Sequence, residues 1–270
     1  DVEGSVQGGS ITVLGNQGRA EGGGSINSVT GSGRFSGSQI TVMGNSGTAT
    51  RGMANSVANS GSIAGSNITI LGNQASVRGG GTANSVDNHG TIGGSQIMIA
   101  GNTAQVTGSG VVNSVRNRGS MTGANIAILG NRGSAQGGGT VNSVDNRGKL
   151  TGRVVIAGNE GSATMGGTVN SVVNQGVLTG NVLIAGNRGR ALAGGVSNSL
   201  INQGIVTGTV AIVGNTSAAA AGITSGSVRN VGGAITGTAG VAGNAAYAAN
   251  PGYTYTVPSS GGINQSVTVL

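Results

Sequence analysis

Hydrophobic positions recur along this chain in widely spaced columns. The pairs Ile11/Val13, Ile40/Val42, Ile68/Ile70, Ile97/Ile99, Ile126/Ile128, Val154/Ile156, Val182/Ile184 and Val210/Ile212 each stand five and three residues before an asparagine that follows a glycine. Ala239/Val241 is a weaker ninth copy. β-branched residues two apart point to one face of a strand. A second column runs Val6, Phe35, Ile63, Ile92, Met121, Leu150, Leu178, Val206, Ile235, and a third runs Val29, Val57, Val86, Val115, Val144, Val172, Leu200, Val228. Three short β segments per unit are therefore expected, separated by glycine and asparagine turns. The glycine content and the missing 3.6-residue period exclude helices.

The polar positions keep the same beat. Gly-Asn places Asn16, Asn45, Asn73, Asn102, Asn131, Asn159, Asn187, Asn215 and Asn244 at steps of 28 or 29 residues. Asn-Ser gives Asn27, Asn55, Asn84, Asn113, Asn142, Asn170 and Asn198. Three residues after that serine come Asn59, Asn88, Asn117, Asn146, Asn174, Asn202 and Asn230. A phrase that returns nine times is a structural module, and each copy reads as one turn of a parallel β-solenoid. Two coils per unit is also open, because an apolar-x-Asn-x-Gly phrase occurs twice in each. On the one-coil reading nine coils span roughly 43 Å at ~4.8 Å each. The asparagines are expected at corners, stacked in amide ladders. The change from 29 to 28 residues, "GSNITILGN" becoming "GRVVIAGN", reads as one residue lost in a turn just after the glycine. A slip inside a strand would turn later side chains to the wrong face.

The fold expected is all-β: a parallel β-solenoid (β-helix) of about nine repeats over residues 1–244, with a non-repeat carboxy-terminal tail over 245–270. That tail, "AAYAANPGYTYTVPSSGGINQSVTVL", holds all three tyrosines and both prolines and two strand-like runs. Tyr253, Tyr255, Val257, Val267 and Val269 are the candidate assembly residues, either covering the chain's own last coil or adding strands to a neighbour. The other end reads as a start in mid-coil without a cap, and an uncapped end with a specialised tail suggests a head-to-tail filament.

Composition sharpens this picture. With 58 Gly, 1 Phe, 3 Tyr and no Trp, a conventional aromatic-rich core is not expected. Apolar residues make up 36% and charged residues 7%, and the regular columns oppose disorder. The net charge of +7 suits anionic partners such as a matrix polysaccharide or DNA. The arginines are scattered, however, without aromatics for base stacking, and solvated turn residues are the simpler reading. No apolar run approaches the ~18 residues of a membrane span. A start at Asp1, without methionine, and the lack of cysteine fit an exported, extracellular or surface protein.

Chemistry is sparse. Asp87 and Asp145 share a column two coils apart, about 9.6 Å, near the spacing of inverting glycosidases. Arg116 lies between them, so the column reads as a charge ladder and no enzymatic activity is expected. His89 is the single histidine, and neither a metal nor another cofactor is implied. A threonine column beginning Thr12, Thr41, Thr69 breaks at Met98, Ala127 and Val155. Some outward positions on that strand, Leu14, Met43, Leu71 and Leu129, are apolar, and lateral contact with another subunit or cover by the tail is expected there.

The phrases "NSGSIAG" (59–65), "NHGTIGG" (88–94), "NRGKLTG" (146–152) and "NQGVLTG" (174–180) resemble the haemagglutinin-type repeats of filamentous adhesins and autotransporter passengers. The resemblance covers residues 1–244 loosely, and this chain's repeat unit is longer. It implies a right-handed parallel β-helix, secretion, and a role in extracellular fibres, biofilm or surface attachment. Self-association is the partnership it implies, with an adhesin shaft or glycan-binding surface as the alternative.

Overall fold

A computed structural model describes residues 3–22, 25–165, 168–191, 196–214, 216–219, 225–230, 233–242, 245–248, 263–264 and 267–269. They form parallel β structure without a helix, wound as a solenoid. Val6 pairs with Phe35, Phe35 with Ile63, Ile63 with Ile92 and Ile92 with Met121, so one repeat makes one coil. Of the two readings left open by the sequence, the structure adopts the single coil.

Three sheets run along the solenoid. Sheet one carries the second apolar column and the strand before Gly-Asn, for example Ser62–Ala64 and Asn67–Leu71. Sheet two follows the asparagine, as in Gln74–Arg78, and sheet three holds the Asn-Ser phrase, as in Thr82–Asn88. The sheet-two strand is absent from the three segments expected. Its inward residues are small, Ala49, Val77, Val106, Ala135 and Ala163, and pack against Ala54, Ala83, Val112, Val141 and Val169 of sheet three. A Cβ on Gly133 would sit 2.6 Å from Val141 Cγ1. That close approach selects glycine and alanine, and it hides the strand from a search for bulky residues.

A larger core lies between sheets one and three, with Ile68, Ile70, Ile92 and Val86 each at most 1% exposed. Val141 belongs to the smaller core and Val144 to the larger. Two residues three apart cannot both face inward on a regular strand, whose side chains alternate. The ladder is interrupted between them: Asn142 pairs with Asn170, Val144 with Val172, and Ser143 has no paired position. The repeated Asn-Ser thus marks the bend that lets one strand serve two cores.

The step from 29 to 28 residues has a defined site. Gly37, Gly65 and Gly94 take φ near +59°, +58° and +58°, and split sheet one's strand in two. The serines that follow are buried; Ser38 N donates to Ser66 Oγ at 3.2 Å and Ser66 N to Ser95 Oγ at 3.3 Å. Ala124 then replaces serine and the halves merge into Ser120–Leu129. In the next coil Thr151 pairs with Thr122 and Gly152 with Ala124, which leaves Gly123 unmatched. The unpaired residue is therefore the glycine itself, not the residue after it. Gly152 opens to φ +144°, and its Cβ would collide with the Ala124 carbonyl oxygen. Beyond it Ile126 still pairs with Val154, so the core face is kept.

At the carboxyl end, sheet two continues through Ala245–Ala248, where Thr216 pairs with Ala245 and Ala218 with Tyr247. Ile263–Asn264 and Val267–Val269 pair in parallel with Ala234–Ala242, through Ile235↔Ile263, Ala239↔Val267 and Val241↔Val269. These strands add a rung to the chain's own sheet one at the repeat spacing. Tyr253, Tyr255 and Val257 lie outside the described residues.

Candidate functional site

The asparagines after glycine form a continuous ladder inside the corner between sheets one and two. Asn73 Nδ2 donates to Asn102 Oδ1 at 3.1 Å and to the Val42 carbonyl at 2.9 Å, while its backbone N–H donates to the same Oδ1 at 2.9 Å. The unit repeats with Asn45, Asn102, Asn131 and Asn159, and Asn187 Nδ2 reaches the Ile156 carbonyl at 2.9 Å. Each buried amide bonds the coil before it and the coil after it, which offsets the cost of burying backbone and side-chain polar groups. Asn16 is exposed, and its backbone N–H donates to Asn45 Oδ1 at 2.9 Å. Asn215 and Asn244 lie outside the described residues.

A second ladder joins Asn59, Asn88, Asn117, Asn146, Asn174 and Asn202, each Nδ2 donating to the next Oδ1 at 2.8–2.9 Å. Both ladders donate in the same direction, toward the carboxyl end. At the start of the second, Asn59 Oδ1 is buried without a hydrogen-bond partner, because the position beneath is Gly31. A third link, between Asn142 Nδ2 and Asn113 Oδ1 at 3.0 Å, runs the opposite way. The recurrence of Asn-Ser signals that column, but its role as a strand bend becomes visible only in the fold. The serine ladder was missed, since Ser38, Ser66 and Ser95 span only three coils.

The expected charge column is in register, Asp87 with Arg116 and Arg116 with Asp145. Its closest ion pairs lie within coils instead: His89 Nε2 is 3.3 Å from Asp87 Oδ1, and Arg147 Nε is 3.3 Å from Asp145 Oδ1. Arg116 Nη1 is 4.0 Å from Asp87 Oδ2. Burial raises the Asp87 carboxyl above its ordinary value, against the opposing pull of His89 and Arg118, and Asp145 adds to the rise. Among the described residues no cluster of three or more His, Cys, Asp or Glu could hold a metal ion.

Two outer faces differ in their chemistry. On sheet two, Arg132 Nε lies 3.2 Å from Glu160 Oε2 and Arg188 Nη1 lies 3.9 Å from Glu160 Oε1; Arg190 is exposed beside them. On sheet one, two adjacent outward columns are free of charge over eight coils. The first runs from Thr12 to Ala211 and the second from Leu14 to Val213. Leu14 is 58% exposed, Met98 40% and Val213 43%. Of the tail's candidate assembly residues, Val267 and Val269 lie on the rung added to sheet one.

No family model, curated protein or solved structure matches this chain.

Proposed function

We propose that the chain is a structural subunit of a secreted extracellular filament, of the haemagglutinin-repeat kind its asparagine and glycine phrases resemble, and that it self-assembles head to tail for surface attachment or biofilm. The observation that supports this is the uniform polarity of the stack. Every described rung is parallel, in register but for the one-residue step at Gly123, and both main amide ladders hand their Nδ2 donors toward the carboxyl end. A copy stacked in the same orientation meets the coil spacing, and at the first ladder the donor direction, that the chain already has internally, so the contact is heterologous and does not close. Val267 and Val269, on the added rung, are the assembly residues nearest such a junction.

The test is negative-stain electron microscopy of the purified chain beside one ending at residue 244. Filaments from the full chain, and few or none from the truncated one, are the expected result. Short single rods from the full chain at every concentration would refute it.

The second reading, an adhesin shaft or glycan-binding surface, is favoured by the exposed arginines on sheet two, Arg132, Arg188 and Arg190. They suit an anionic polysaccharide or DNA of a matrix through screened charge attraction. Retention on a sulfated polysaccharide column that falls steeply with salt, and falls again in Arg188→Ser/Arg190→Ser, is its signature.

A further inference from the structure

We infer that the uncharged outer face of sheet one is a lateral interface with a second copy of this chain, the two solenoids lying parallel and in register. The inference concerns the side of the solenoid and stands apart from how its ends behave.

The first support is a volume rule. In each of eight coils one of the two outward columns holds the larger side chain, Leu, Met or Val, and the other the smaller, Thr or Ala. Thr12/Leu14, Thr41/Met43 and Thr69/Leu71 place the bulk in the second column. Met98/Ala100, Val155/Ala157 and Leu183/Ala185 move it to the first, while Ala127/Leu129 and Ala211/Val213 keep it in the second. A solvated face has no reason to place the larger side chain in one column or the other and never in both. A two-fold axis along the solenoid provides that reason. It lays the first column of one copy on the second column of the other, coil on matching coil, so that the larger residue of each pair meets the smaller one. Close packing of facing layers rewards such pairing.

The second support is area. Eight rungs at ~4.8 Å and a width of roughly 17 Å give about 650 Å² per copy and about 1,300 Å² in total. That falls within the range of stable interfaces, roughly 1,200–2,000 Å². The third is the rim. The next outward column is polar, Ser10, Gln39, Asn67, Gln96 and Asn125, before Arg153. A polar rim around an apolar centre is the usual anatomy of a protein interface. Among the described residues of the two central columns there is no charge to bury.

The chain has no cysteine, so single cysteines introduced at Ser10, Gln96 and Asn181 on the rim carry spin labels cleanly. Double electron–electron resonance is expected to give the same short intermolecular distance for all three, about 20–25 Å from the sheet and column spacings. Neighbours stacked end to end would hold equivalent labels about a whole subunit length apart. A short distance for Gln96→Cys alone means antiparallel pairing and overturns the proposal, as does the absence of any short distance. In parallel, Met98→Asp and Leu183→Asp are expected to weaken lateral association at least tenfold with circular dichroism unchanged, whereas Thr103→Asp on sheet two leaves it intact. Equal association of all three variants with wild type would also overturn it.

Discussion

Gly31 and Phe35 are fitted to each other across the first corner of sheets three and one: a Cβ on Gly31 would lie 2.5 Å from Phe35 Cε2. Phe35 is fully buried in a column otherwise filled by aliphatic residues and Met121, and its ring occupies the space that Asn59, Asn88 and Asn117 use in the coils that follow. The second ladder therefore begins at Asn59, with an acceptor left over.

Gly31→Asn alone is expected to destabilise by about 1–3 kcal/mol through overpacking. Phe35→Ile alone costs about 1–2 kcal/mol through lost burial and a cavity. Together they rebuild the corner of the next coil, where Asn59 coexists with Ile63, and supply the missing donor to Asn59 Oδ1. The double variant should then be more stable than Gly31→Asn, with a coupling of at least about 1 kcal/mol in denaturant unfolding. Additive losses would show that the two residues do not share the space.

The ladder's worth depends on its neighbours. Asn102 accepts from Asn73 and donates to Asn131 and to the Ile70 carbonyl, all buried. Asn102→Ala leaves these groups without their partner and should cost about 2–3 kcal/mol. Asn16→Ala, at an exposed position, should cost less than about 1 kcal/mol. Paired chemical denaturation curves decide it, and equal losses would contradict a ladder that acts through burial.

The shortened turn makes a counterintuitive prediction about deletions. Removing Ala124 leaves "MTGNIAILGN", with glycine at the place of Gly152, and should retain the fold. Removing Gly123 puts an alanine at that place, where φ of +144° and the neighbouring carbonyl exclude a Cβ. The second deletion is expected to be the less stable by about 1–3 kcal/mol, read as a lower thermal midpoint.

Asp87 links stability to pH. Its carboxyl is raised in the folded chain by burial, so the fold binds a proton there more readily than the unfolded chain does. That contribution is present below the ordinary carboxylate value of about 3.8 and is lost as pH rises through the folded value. Asp87→Asn is expected to raise the thermal midpoint near pH 7, and the gain should shrink as the buffer is acidified. A loss at pH 7 would mean that the His89 contact outweighs the cost of burial.

Most of the architecture was legible because the repeat multiplies a weak local signal. Ile68/Ile70 alone is a three-residue hint; eight copies at steps of 28 or 29 fix strand, face and period together. The asparagine corners were legible for the same reason. Sheet two was hidden because its inner residues are chosen for close approach rather than bulk, as Ala135 and Gly133 show. The Asn-Ser bend was visible as a column but not as a bend, since only the two cores give Val141 and Val144 separate destinations. The charge column was read in register, yet its ion pairs run to His89 and Arg147 two residues on, in the bend just past each strand, a choice of rotamer that spacing does not specify. No signal in the sequence announces a catalytic or ligand site.

The most direct test of a filament grown along the solenoid axis is X-ray diffraction from oriented fibres of the assembled chain. Head-to-tail growth predicts a reflection near 4.8 Å along the fibre axis, from coils stacked end to end across subunit boundaries. The same reflection perpendicular to the fibre axis would mean that the solenoids lie across the filament and join by their sides alone, and would contradict head-to-tail growth.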